Sequence, residues 1–210
     1  SSGATMVFVT LTPGETIDIF GNAVSQGFEG YWTGNSPSFN YLFHLASDFA
    51  QAFDDYWFHS GYYTPWGTAG SEGMEQIVAE MSARRPELNI SDVYTVGWQE
   101  GLMAETLIRA AIDGGDLTRA NMVAISQDPS FSVDFLGLSA NQSWPADYND
   151  AVVRGSYIYD VSLPAFNIIS TGESTPDNLG SSGMLVLEAD YTGSVAENFV
   201  FDGPCIEPSG

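Results

Sequence analysis

Short apolar runs alternate with amphipathic stretches over the first two thirds of the chain, and the alternation breaks in the last third. Met6 to Leu11, MVFVTL, is an apolar run suited to a buried strand. It leads into TPGETIDIFGNAVSQG, where Thr12 is a good N-cap, Pro13 takes the first helical position and Glu15 follows the cap by three residues. That order is a capping box with a proline start. Ile17, Phe20 and Val24 mark one helix face, and Gly27 ends it. FEGYWTG, residues 28–34, reads as the next strand. Residues 6–34 therefore predict a strand–helix–strand unit and a parallel sheet.

A second helix is predicted from about Ser38 to Phe53, with Tyr41, Leu42, Leu45, Phe49 and Phe53 near one face. The next stretch, DYWFHSGYYTPWGTAGSEG, is aromatic and broken by glycine and proline; it reads as a crossover between two substructures. Residues 71–84 return to helix and close at Arg84, Arg85 and Pro86. In GWQEGLMAETLIRAAIDGGDLTR, residues 97–119, Met103, Ala104, Leu107, Ile108 and Ala111 share a face. Gly114 and Gly115 supply a stop with positive φ, and Thr118 caps the following helix. The pattern predicts helices over 94–113 and 118–126, laid on a sheet. Beyond them FSVDFLGLS, SYIYDVSLPAF, MLVLEADY and ENFVF are short strand-like runs among turns. The class is α/β with an irregular, strand-rich C-terminal third.

Composition narrows the function. The 210 residues carry 27 acidic groups against five basic ones, all arginine, for a net charge of -22. Such a chain repels phosphate backbones and anionic lipid headgroups, which argues against nucleic-acid partners. The acidity suits a salt-exposed, extracytoplasmic protein, or a codon bias against lysine; melting temperature against salt separates the two. No apolar run approaches the roughly 18 residues of a membrane span. SSGATMVFV reads as the approach to a strand rather than a signal peptide, which suits a mature or truncated product. The single cysteine, Cys205, rules out an intrachain disulfide and a cysteine metal site. Two histidines, His44 and His59, give no basis for a metal centre, and no cofactor motif such as a P-loop or G-x-G-x-x-G is present. No nucleophile elbow appears, so no catalytic residue is assigned. DYND, Asp147 to Asp150, lacks the alternating ligands and closing glutamate of a calcium loop and reads as a solvated turn.

The order TLTPGET, AVSQGFEGYWTG, YTVGWQEGLMAETLIRAAIDGGDLTRANMVAIS, FLGLS, YND and SYIYDV resembles the C-terminal portion of a type I periplasmic binding protein. It is most similar to the branched-chain amino-acid substrate-binding family of ABC importers. GDLTR between two helices, followed by a short strand with a GL turn, is its most specific part. The resemblance implies two Rossmann-like lobes joined by three crossovers, with the N-terminal part of both lobes lacking. Residues 1–55 would be the second half of one lobe, 56–66 a hinge crossing, 67–150 part of the other lobe, and 151–210 the hinge return and C-terminal segment. A second chain supplying the missing half, or a longer product, would remove the unpaired sheet edges.

By the same resemblance the function is a non-enzymatic, extracytoplasmic solute-binding protein, periplasmic or a cell-surface lipoprotein. It would close on a small polar ligand, an amino acid or a related molecule, and present it to an importer permease. A ligand-sensing receptor of the same fold and an acidic extracellular hydrolase are the alternatives. Ligands of open α/β sheets bind at strand C-terminal ends. That places Thr10, Thr12, Trp32, Thr33 and Asn35 as ligand-binding candidates, with Tyr62 at a cleft mouth beside Tyr63 and Trp66. Each has a plain structural alternative: capping for Thr12, lobe packing for Trp32, hinge packing for Tyr62. Family members that bind amino acids hold the ligand ammonium with an acidic residue where this chain has Asn35, which brings no charge.

Overall fold

The computed structural model describes residues 3–46 and 48–202. Five strands form one sheet in the order β1-β2-β3-β4-β5: β1 (Met6–Val9), β2 (Tyr31–Gly34), β3 (Trp57–Gly61), β4 (Ser156–Val161) and β5 (Met184–Tyr191). The first three run parallel; β4 is antiparallel to β3, and β5 to β4.

Helix α1 (Pro13–Ser25) begins as its sequence dictates. The Thr12 side chain accepts from the Glu15 N–H, and the Glu15 carboxylate accepts from the Thr12 N–H at 3.1 Å. Gly27, at φ +81, turns the chain toward β2. Phe20 points into the sheet unit's core, stacked on Phe53 at 4.1 Å and edge-on to Trp32 and Trp57. Trp57 is 1% exposed. Burial of these rings supplies most of what holds this unit.

The helix predicted from Ser38 to Phe53 is not continuous. Ser36–Ser38 and Tyr41–Leu45 form short 3-10 turns, and only α2 (Ala50–Tyr56) is α-helical. Asn40 accepts from the Leu42 N–H through its side chain, a local bond that competes with helix, while Pro37 lacks a donor. Phe39, Phe43 and Phe53 still reach the core, from three separate pieces of backbone. The aromatic stretch expected to cross between substructures opens as strand β3, and the chain leaves the sheet at Gly61.

The second unit is helical. α3 (Glu72–Arg84) is capped by Ser71, and α4 (Asp92–Asp113) by Ser91. α5 (Arg119–Ser126) is capped by Thr118, as its sequence predicts. The positive-φ stop comes from Gly115 (φ +74) alone, since Gly114 is right-handed. Trp66, Met74, Ile77, Ile90 and Leu138 form its core. The sheet expected beneath α4 is absent among the described residues: the FSVDFLGLS run contributes one isolated bridge, Val133 to Gln142. Met103 and Ile108 are consequently exposed, while Ala111 is buried. Leu136 and Gly137 both take positive φ at the GL turn.

DYND folds as a single helical turn, α6 (Tyr148–Ala151), capped by Asp147. ENFVF is not a strand: Glu197 ends the short helix α7 (Ser194–Glu197), Asn198 turns the chain, and residues 199–201 are irregular. Arg154 donates there to the carbonyls of Ala196 and Phe199, tying the turn to β4. The connection from β4 to β5 reaches across to the helical unit, where Ile90 N–H donates to Ile169 and Thr171 N–H to Leu88. No helix among the described residues is long and apolar enough to cross a membrane. Cys205 lies outside the described residues.

Candidate functional site

A cavity of about 300 Å³ opens between the two units, beyond the C-terminal ends of β1 and β2. The sheet unit contributes Pro13, Ser36, Phe39, Tyr41 and Met184. α4 contributes Asp92, Val93 and Val96 from its first turns, and the chain crossing between the units contributes Tyr62 and Tyr63. This is the region in which open α/β sheets and two-unit proteins bind small molecules. A more apolar hollow of about 320 Å³ lies alongside, walled by Gln99, Met103, Phe135, Trp144 and Val153. Tyr62 and Val96 border both.

The crossing that carries Tyr62 and Tyr63 is firmly held. The Tyr159 hydroxyl donates to the Tyr63 carbonyl, and the Tyr63 N–H donates back to that hydroxyl at 3.3 Å. Thr64 N–H donates to Leu138, and the Trp66 indole to Leu179. Gly61 is closely packed: an added Cβ would lie 3.0 Å from the Tyr159 ring and 3.2 Å from the Ser36 hydroxyl, so those side chains would have to give way. The crossing therefore joins β3, β4 and the helical unit at one point.

Among the described residues, Asp92 is the only charged one lining the cleft. It is 6% exposed, and its Oδ1 accepts from the Trp66 N–H at 2.6 Å. Burial pushes its carboxyl up to about 6, against the opposing influence of the Trp66 N–H and of the Ser182 hydroxyl. The ion pairs among the described residues are Arg84–Glu80, Arg85–Glu87 and Arg109–Glu105, all on the surface and none at the cleft. Burial also raises the Tyr63 phenol well above its ordinary value, with the neighbouring Asp92 charge adding to the effect.

The residues singled out from sequence scatter. Tyr62 stands at the cleft mouth, 45% exposed. Thr12 is exposed and caps α1 beside the cleft residue Pro13. Thr10 is exposed at the end of β1. Asn35 immediately precedes the cleft residues Ser36 and Pro37, and its Oδ1 accepts from the Ser38 hydroxyl at 2.8 Å. Trp32 is enclosed by Phe20, Phe28 and Trp57 in the sheet core. Thr33 is half-buried, paired across the sheet with Phe8 and Phe58. Tyr63, expected beside Tyr62, lines the cleft, whereas sequence reasoning passed over Asp92, Val96 and Met184. The one signal for Asp92 was its place behind the Ser91 cap, a position where an acidic residue needs no further reason. Among the described residues, no three His, Cys, Asp or Glu side chains gather as metal ligands would.

The arrangement is an α/β fold that the chain shares with solved proteins of two ABC transporters. Among solved structures it is similar to a fatty acid ABC transporter substrate-binding protein from Thermomonospora curvata, with a TM-score of 0.71 and 17% identity over 92% of this chain and 45% of that one. It is also similar to a branched chain amino acid ABC transporter from Thermus thermophilus with bound valine, with a TM-score of 0.60 and 13% identity over 93% and 48% of the two chains. The chain thus spans less than half the length of either. No protein-family model matches it, and no curated protein does. Proteins described for two different ligands share this fold, so the likeness reaches the fold and not the branched-chain amino-acid family.

Proposed function

We propose that this chain is part of a non-enzymatic solute-binding protein, acting outside the cytoplasm, that captures a small molecule in the cleft between its units and presents it to an ABC importer. The observation that carries the reading is the cleft itself. It lies at strand C-terminal ends, is bounded by both units and the crossing between them, and sits in a fold shared with substrate-binding proteins of ABC transporters. Tyr62 forms its mouth, with Thr12 and Asn35 near its rim.

The reading includes a further α/β segment that completes both units, as the other half of the two solved chains does in length. Two observations support it. Parallel strands need cover on both faces, yet Met6, Phe8 and Tyr31 stand exposed on the outer face of β1 and β2, Phe8 at 65%. Ile108 and Ile112 on α4 are likewise uncovered.

The experiment is a melting-temperature screen of small molecules against the protein and a Val96→Trp variant, which fills the cleft. Compounds that raise the melting temperature of the native protein should lose that effect in the variant. Ligands that stabilise both proteins equally would place binding elsewhere.

A further inference from the structure

We propose that the cleft selects a small organic cation, a molecule carrying a protonated amine, and that Asp92 is the residue that recognises it. This rests on the cleft being the ligand site.

Asp92 is buried without a counter-charge. Its hydrogen bond from the Trp66 N–H needs only an oxygen acceptor, which a neutral asparagine would supply equally. The α4 dipole favours an anion at this position, but burial opposes it, and the carboxyl is held well above its ordinary range. The charge thus costs the empty fold stability, and a cation beside it would restore what burial removes. Among the described residues no arginine lines the cleft, and the chain has no lysine to reach in.

The walls fit the same class of molecule. Phe39, Tyr41, Tyr62 and Tyr63 offer aromatic surface to a cation. Tyr63 is 6% exposed, and its hydroxyl makes no hydrogen bond within the described residues, so it is free to accept one from an ammonium. Val93, Val96 and Met184 supply an apolar lining for the rest of the ligand. An anion would meet a lone carboxylate in a chain of net charge -22.

The test is calorimetric titration of the protein at about pH 7.5 with three head groups on one alkyl chain: hexylamine, hexan-1-ol and hexanoate. Hexylamine should bind about ten-fold more tightly than hexan-1-ol, and hexanoate most weakly. Asp92→Asn should abolish the advantage of the amine and leave hexan-1-ol unchanged. Tyr63→Phe should weaken the amine about three-fold, and serves if the Asn variant does not fold. If hexan-1-ol or hexanoate binds as tightly as the amine, the cation inference fails while the cleft reading stands. Absence of hexylamine binding also overturns the inference, and the cleft reading falls with it only if the Val96→Trp screen finds no cleft ligand either.

Discussion

The two units solve the same packing problem with unequal means. In the sheet unit, Phe20, Phe53, Trp32 and Trp57 close one face of the sheet into a dense aromatic core. In the helical unit the core is smaller: Trp66, Met74, Ile77, Ile90 and Leu138 are buried, with Tyr94, Trp98 and Leu102 of α4 packed against them, and α4 turns Met103, Ile108 and Ile112 outward. A unit with a thin core opens at lower free energy than one with a deep core. Between them lies a cleft whose sheet side and crossing are tied to the aromatic core and whose other wall, the start of α4, belongs to the thinner unit.

The sharpest way to break the comparison is to delete one anchor from each unit. Trp57→Ala should cost about 4 kcal/mol and unfold the sheet unit, whereas Leu138→Ala should cost about 3 kcal/mol and open mainly the helical unit. Amide hydrogen exchange reads this residue by residue. Equal loss of protection in both units for either variant would show one cooperative block instead of two.

A smaller effect comes from pH. His59 is fully buried with neither ring nitrogen hydrogen-bonded among the described residues, and burial drops its pKa to about 3. The unfolded chain takes up that proton near pH 6.5, so this stability is present above 6.5 and is lost as pH falls toward 3. Between pH 6.5 and 5 the loss is about 2 kcal/mol. His44, lowered to about 4 by burial in spite of nearby Asp54, acts in the same direction. Asp92 acts oppositely. Its raised pKa makes it stabilising when protonated, a contribution lost as pH rises through about 6. Acid should therefore weaken the sheet unit while relieving the helical one. Hydrogen exchange at pH 7 and pH 5 checks this; a helical unit that loses protection at pH 5 as steeply as the sheet unit would refute the assignment.

What could be read from sequence were the elements whose signals are local. Thr12, Pro13 and Glu15 specify the start of α1 by themselves, and Thr118 and Gly115 do the same for the break between α4 and α5. The segment from Ser36 to Leu45 was not legible, because its aromatic spacing mimics a helix while Pro37 and Asn40 break the backbone. Trp32 at a strand end suits either a ligand contact or lobe packing, and which face it presents depends on where α1 packs. Asp92 was hidden among 27 acidic residues, since only tertiary burial distinguishes it from a solvated one. The exposure of Phe8 on β1 and of Ile112 on α4 had no local signal, since only tertiary packing decides which apolar residues are covered.

The most direct test of the central claim, that the cleft between the units is the ligand site, is methyl NMR of the protein labelled at its methionines. Met184 lines the cleft, whereas Met74 is buried in the helical core and Met6 stands exposed on β1. A ligand found by screening should shift the Met184 methyl in proportion to occupancy and leave Met6 and Met74 in place. A ligand that moves Met6 or Met74 while Met184 stays fixed would contradict the account.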